Sequence, residues 1–163
     1  MEVLPHRMKL PHVIPGWVRE EAVFFITICC QRRGIDQLCD PVVADCLLEA
    51  TAFRQRMGRW HVHLLLLMPD HLHALVSFPR TERMRRVIST FKEMTAKRAG
   101  IGWQRDFFDH RLRARESYEQ KAAYIRMNPV RAGLVANPSD WPWKWEPTNL
   151  PEGGPSGPAL PAE

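Results

Sequence analysis

The sequence has little of what marks several common protein classes. Its four cysteines, Cys29, Cys30, Cys39 and Cys46, fall in the first third and never form a C-x-x-C spacing. That argues against zinc-ribbon and thioredoxin-like motifs and leaves free thiols in a reducing compartment as the expectation. Long apolar stretches are missing too. The longest, Leu64 to Pro69, is far shorter than the ~20 residues that cross a bilayer. The first residues lack the apolar segment of a secretory signal. A cytoplasmic protein with no membrane partner is therefore expected. No internal repeat is visible. Tyrosine is scarce: only Tyr118 and Tyr124 occur among the 163 residues.

What is present suits one folded domain with an anionic partner. Hydrophobic residues make up 45% of the chain and six tryptophans are available to a core, which argues against global disorder. The length fits a single domain, here residues 1–147, followed by a Pro/Gly-rich tail, 148–163, expected to be disordered. The formal net charge of +5 is unevenly spread. Between Arg80 and Arg131 there are 14 Lys/Arg against 6 Asp/Glu, whereas the remainder is net acidic. A basic stretch is often a solvated face, but clustering in half a small domain favours a nucleic-acid partner.

Periodicity predicts the element order. Residues 1–20 read as an extended lead-in. "AVFFITICC" (22–30) is β-branched and aromatic, a buried strand. "PVVADCLLEATAFRQRMG" (41–58) carries Val43, Leu47, Ala50 and Phe53 near one helical face, with Asp40 as N-cap, Pro41 at the first position and Gly58 at the end. Residues 60–68 and 71–78 form a hairpin about Pro69-Asp70. Residues 81–100 form a second helix, with Val87, Phe91 and Met94 inward and Arg83, Arg86, Lys97 and Arg98 wet. Residues 106–115 read as a fourth strand and 116–128 as a third helix ended by Pro129. The rest looks like irregular wrapping held by aromatics. The order β-α-β-β-α-β is the ferredoxin-like, α+β arrangement: an antiparallel sheet with helices on one face, plus a C-terminal tyrosine-bearing helix.

Two spacings carry candidate chemistry. Residues two apart on a strand share a face, so His71 and His73 project together while Leu72, Ala74 and Val76 face the core. Two imidazoles so placed can converge on one divalent ion. Taken alone, such a pair is more often surface or locally hydrogen-bonded histidine. His61 and His63 repeat the pattern, but the hairpin puts them roughly 20 Å or more from His71, outside any shared site. In the third helix, Tyr124 and Asn128 are four residues apart and lie on one face, whereas Tyr118 points elsewhere.

In order and spacing, "MPDHLHALV", "WQRDFFDHRLR" and "YIRMNPVRAGLV" resemble the single-tyrosine HUH transposases, and most closely the REP-associated tyrosine transposase branch. The resemblance extends over roughly residues 20–145 and agrees with the ferredoxin-like fold. It implies cleavage and rejoining of single-stranded or hairpin DNA through a 5′-phosphotyrosine. His71 and His73 match the metal-binding pair, Asn128 the residue completing that site, and Tyr124 the nucleophile. Mg²⁺ or Mn²⁺ is implied as cofactor, with no organic cofactor, and either a monomer or a homodimer. Asp70 departs from the family, where Asn or Glu is commoner. Arg83, Arg85, Arg86 and Lys92 on the second helix, with Arg111, Arg113 and Arg115 on the fourth strand, are expected to follow a phosphate backbone. Trp103 and Phe107 are stacking candidates, with a core role expected first. A non-catalytic hairpin-binding module and a metal-dependent phosphodiesterase using water are the alternatives.

Overall fold

The computed structural model describes residues 16–113 and 115–146. Five strands, β1 (Phe24–Cys29), β2 (His61–Met68), β3 (His71–Ser77), β4 (Phe108–Arg111) and β5 (Lys144–Trp145), alternate with helices α1 (Pro41–Arg56), α2 (Met84–Ala99), α3 (Arg115–Arg126) and the single turn α4 (Asn128–Arg131). The strands form one antiparallel sheet in the order β4-β1-β3-β2-β5. This is the α+β, ferredoxin-like arrangement, with β1 and β3 central. No helix among the described residues is long and apolar enough to cross a membrane.

The alternation of side chains along the central strands explains why both faces of the sheet are covered. Ile26, Ile28, Leu72, Ala74 and Val76 point to one face and pack with Leu47 and Leu48 of α1 and Val87, Ile88 and Phe91 of α2. Phe25, Leu64, Leu66 and Leu75 point to the other and pack with Ala122 and Ile125 of α3 and Trp141. In β2 the pairing passes from Val62↔Val76 to Leu64↔Leu75, so His63 is an extra residue. That bulge lets Val62 share the first face with Leu65 and Leu67 while Leu64 and Leu66 keep the second.

Local signals set the boundaries. The Asp40 carboxylate accepts from the amides of Val42 and Val43, and Pro41 occupies the first turn of α1. Gly58 follows the helix end with φ 75°, a conformation that glycine adopts without steric cost. All four cysteines are free.

Several expectations are corrected. Gly16–Glu20 is a 3-10 helix rather than extended chain. Phe53 is exposed, not on the buried stripe of α1. The fourth strand spans only Phe108–Arg111. The third helix breaks at Met127, and Pro129 sits inside the next turn rather than ending the helix. Pro129 lacks an amide hydrogen to donate, yet Arg131 still donates to the Met127 carbonyl at 2.9 Å, so the chain keeps its course. The segment expected to be irregular contributes β5, which pairs with Leu65 and Leu66. The expected tail, 148–163, lies outside the described residues.

Candidate functional site

The Pro69-Asp70 turn starts β3 at His71, so the first and third residues of the strand are His71 and His73. Both lie on the sheet face covered by α3, and Leu72 between them enters the opposite layer. The two rings stand edge to face, with centroids 4.8 Å apart.

Each ring is held through Nδ1. The His71 Nδ1 lies 2.8 Å from Asp70 Oδ1. Burial by itself would raise the Asp70 carboxyl, but hydrogen bonds from the Gly34 amide, His71 and Arg33 outweigh it and hold the group well below the usual carboxylate range. Asp70 is therefore ionised and can only accept, so His71 Nδ1 carries the proton and Nε2 keeps its lone pair in the neutral ring. The His73 Nδ1 lies 2.9 Å from Thr27 Oγ1. Burial pushes His73 down to about 3, with the charges of His71, Arg131 and Lys121 acting in the same direction. His73 is thus neutral at ordinary pH. Two imidazoles with tethered Nδ1 atoms are the donor arrangement usual for metal-binding histidines. Among the described residues no group of three or more His, Cys, Asp or Glu gathers around a common point. A further protein ligand would have to be of another type, and an amide oxygen such as that of half-buried Asn128 is of suitable chemistry.

The two tyrosines separate along α3. Tyr118 is half-buried against the second core layer and meets the His63 ring edge-on at 5.8 Å. Burial raises its phenol. Tyr124, nearly two turns on, is 49% exposed. Its ring lies 3.9 Å from the Arg131 guanidinium carbon and 5.3 Å from the Lys121 ammonium. The same ammonium sits 4.7 Å from the Phe25 ring, which stacks on His73 with centroids 5.3 Å apart. The Tyr124 end of α3 thus lies on the side of the histidine pair, and the Tyr118 end lies beside His63.

The candidate DNA contacts fall elsewhere. Arg83, Arg85 and Arg86 are exposed at the start of α2, in the layer on the opposite face of the sheet. Glu82 just before them pairs with Arg59 at the entrance to β2, so they lie at the end of the sheet remote from the Pro69-Asp70 turn. Arg111 and Arg113 are exposed, with Arg111 paired to Phe24 at that same end. Lys92 is committed locally, donating to the Arg105 carbonyl at 2.8 Å. Trp103 is buried, with its indole N–H on Thr95 Oγ1, and Phe107 packs against the first core layer.

No family model matches the chain. Against curated proteins it is 30% identical over 141 residues, covering 74% of this chain and 77% of the other, to a Haemophilus influenzae protein named for the REP-associated tyrosine transposases. The chain belongs to the REP-associated tyrosine transposases. The Escherichia coli K12 member of that family is 28% identical over 91 residues, and the match spans 52% of this chain and only 53% of that protein. Among solved structures, a REP-associated tyrosine transposase bound to a REP hairpin superposes with a TM-score of 0.69 at 22% identity, covering 83% of this chain and 82% of the other. A Deinococcus radiodurans chain named as a transposase gives 0.51 at 18% identity, covering 69% and 94%. These two likenesses concern the fold.

Four residues of the site escaped the sequence reading: Thr27, Phe25, Lys121 and Arg131. Lys121 and Arg131 sit three residues before and seven after Tyr124, positions that share its face of a helix. That spacing was a usable signal. Thr27 and Phe25 carried none, because they reach the site through strand pairing.

Proposed function

We propose that this chain cleaves and rejoins single-stranded DNA flanking a REP-type hairpin, with Tyr124 as the nucleophile. The observation that carries the reading is the pairing of a tethered imidazole pair with an exposed tyrosine flanked by two cations, on one side of one sheet. The Tyr124 hydroxyl attacks the scissile phosphorus as the bond to the 3′ oxygen breaks. A 5′-phosphotyrosine forms, the phenolic proton leaves to solvent, and the departing oxygen takes up a proton to become a 3′-hydroxyl. Attack by another 3′-hydroxyl reverses the step, so strands rejoin without ATP.

An unperturbed phenol, with a pKa of about 10, is a weak nucleophile at neutral pH. Lys121 and Arg131 supply positive charge where phenolate and phosphate charge develop. His71, His73 and Asn128 would hold a divalent ion, Mg²⁺ or Mn²⁺, which polarises a non-bridging phosphate oxygen when bound. Holding phosphate and phenol in line supplies much of the remaining acceleration. Lys121 resting on Phe25 beside His73 of the same chain supports attack by a chain's own tyrosine.

The test is a hairpin oligonucleotide with a single-stranded flank, incubated with Mg²⁺ or Mn²⁺ and analysed for a covalent protein–DNA species on a denaturing gel. The wild-type chain and Tyr118→Phe should form it, and Tyr124→Phe should not. Metal-dependent cutting that survives Tyr124→Phe would replace this reading with hydrolysis by water. Binding without cutting under either metal would leave a hairpin-binding module.

A further inference from the structure

Phe108 is 56% exposed, a large apolar ring on the outer strand of the sheet. Single exposed phenyl groups are common and by themselves mean little. The register makes this one different. Thr27 is the cross-strand partner of both Phe108 and His73. The three residues form one lateral row, and their side chains share a face. Two strand spacings of ~4.8 Å separate Phe108 from His73, so the ring stands about 10 Å from a candidate metal ligand. Thr27 between them is small and hydrogen-bonds His73 through its hydroxyl. Beside this row on the same face, Phe25 meets Phe108 edge-on, with centroids 6.0 Å apart at 70°, and also stacks on His73. Phe108 is therefore flanked by a buried ring. Among the described residues no strand pairs with the outer edge of β4.

We propose that Phe108 is a stacking platform for one unpaired nucleobase, that of a nucleotide adjoining the scissile phosphate. The inference rests on the proposed function, which places that phosphate at the histidine pair. A phosphate held there has its neighbouring base within reach of a ring about 10 Å away. A flat exposed aromatic face matches the π-face that every base presents once it is unstacked. A base within a duplex has both faces covered, so the platform also selects single-stranded flanks. The aromatics closest in sequence, Trp103 and Phe107, are spent on the core, which leaves Phe108 for this role.

The experiment uses the full chain carrying Tyr124→Phe, without divalent metal, so that binding is read without cleavage. The probe is a DNA hairpin with a single-stranded flank in which an abasic site is moved one position at a time. One abasic position should weaken binding at least about fivefold, the lower end for loss of a base–aromatic stack. Adding Phe108→Leu, which keeps apolar bulk but no π-face, should remove the penalty at that position only. Phe108→Trp should retain it, and a hairpin without the flank should bind all three proteins alike. An abasic profile unchanged by Phe108→Leu overturns the proposal, as does the absence of any flank-dependent binding. If the wild-type chain still forms the covalent species in either case, the proposed function stands and only the platform is lost. A profile that depends on Phe108 with no covalent species formed removes the cleavage reading and keeps the platform.

Discussion

Asp70 does more than close a turn. Its Oδ2 accepts from Arg33 Nε at 2.9 Å and from the Gly34 amide at 2.7 Å, and its Oδ1 accepts from His71. The carboxylate thus fixes the tautomer of His71 and ties the ring to the loop after β1. Removing such an outer partner of a ligating histidine typically costs 10–100-fold in metal affinity. Asp70→Ala should weaken Mn²⁺ binding by about that factor, read by calorimetry or by the resonance of free Mn²⁺. Asp70→Asn keeps an acceptor oxygen and should lose less. Equal Mn²⁺ affinity in all three proteins would remove His71 from the site. His63 shows the opposite use of a half-buried ring. Burial, then the neighbouring charge of His61, pushes it down to about 4 from 6.5, and its Nε2 lies 3.0 Å from Ser77 Oγ. Between pH 6.5 and 4 the unfolded chain takes the proton first, so the contribution of His63 to stability is complete above 6.5 and falls as the pH drops through that window. Each unit of pH costs up to ~1.4 kcal/mol for one such group. His61 also lies below its ordinary value, so the two act together. His63→Gln should flatten the fall of unfolding free energy across that window, measured by urea melts at stepped pH. An unaltered slope would show that His63 protonates equally well in the folded chain.

At the scale of elements, legibility follows how local the determinants are. The hairpin about Pro69-Asp70 and the N-cap at Asp40 were readable because turn and cap residues act within a few positions. The histidine pair was readable for the same reason: alternation alone puts Leu72 on one face of the sheet and both rings on the other. β5 was not readable. Two residues, Lys144 and Trp145, become a strand only because Leu65 and Leu66 offer an open edge. Nor was the β2 bulge, since the faces of Val62 and Leu64 are decided by packing on two layers rather than by their neighbours in sequence. The break between α3 and α4 shows a rule applied too strongly. Proline at the second position of a new turn needs no amide donor, so Pro129 continues the path and leaves Asn128 at the junction. The choice of Tyr124 over Tyr118 was half visible. Helical spacing separated the two, but only the Phe25–Lys121 contact shows which end of the helix meets His73.

On the scale of the whole molecule, the sheet separates the histidine pair from the arginine cluster at the start of α2. His71 and His73 lie at one end, under α3. Arg83, Arg85 and Arg86 lie at the other end and on the other face, and Arg111 marks the same far end on the edge strand. A separation of six residues along a strand is about 20 Å. On the proposed mechanism, a single-stranded flank running along β4, from Arg111 past Phe108, would connect a DNA hairpin held by the arginines to the histidines. Binding and cutting should then separate. Replacing Arg83, Arg85 and Arg86 together by Gln removes up to three phosphate contacts. Each contact contributes about 0.7–0.9 to the slope of log affinity against log salt. The triple variant should therefore bind the flanked hairpin more weakly and with a slope shallower by about 2 to 3, measured by fluorescence anisotropy across a salt series. Once saturated with DNA, its single-turnover cleavage rate should stay within about twofold of wild type, because in the proposed mechanism other groups, Lys121 and Arg131, neutralise the reacting phosphate. A saturated rate that falls as far as the affinity would place the start of α2 at the scissile phosphate, and no path along β4 would then be needed.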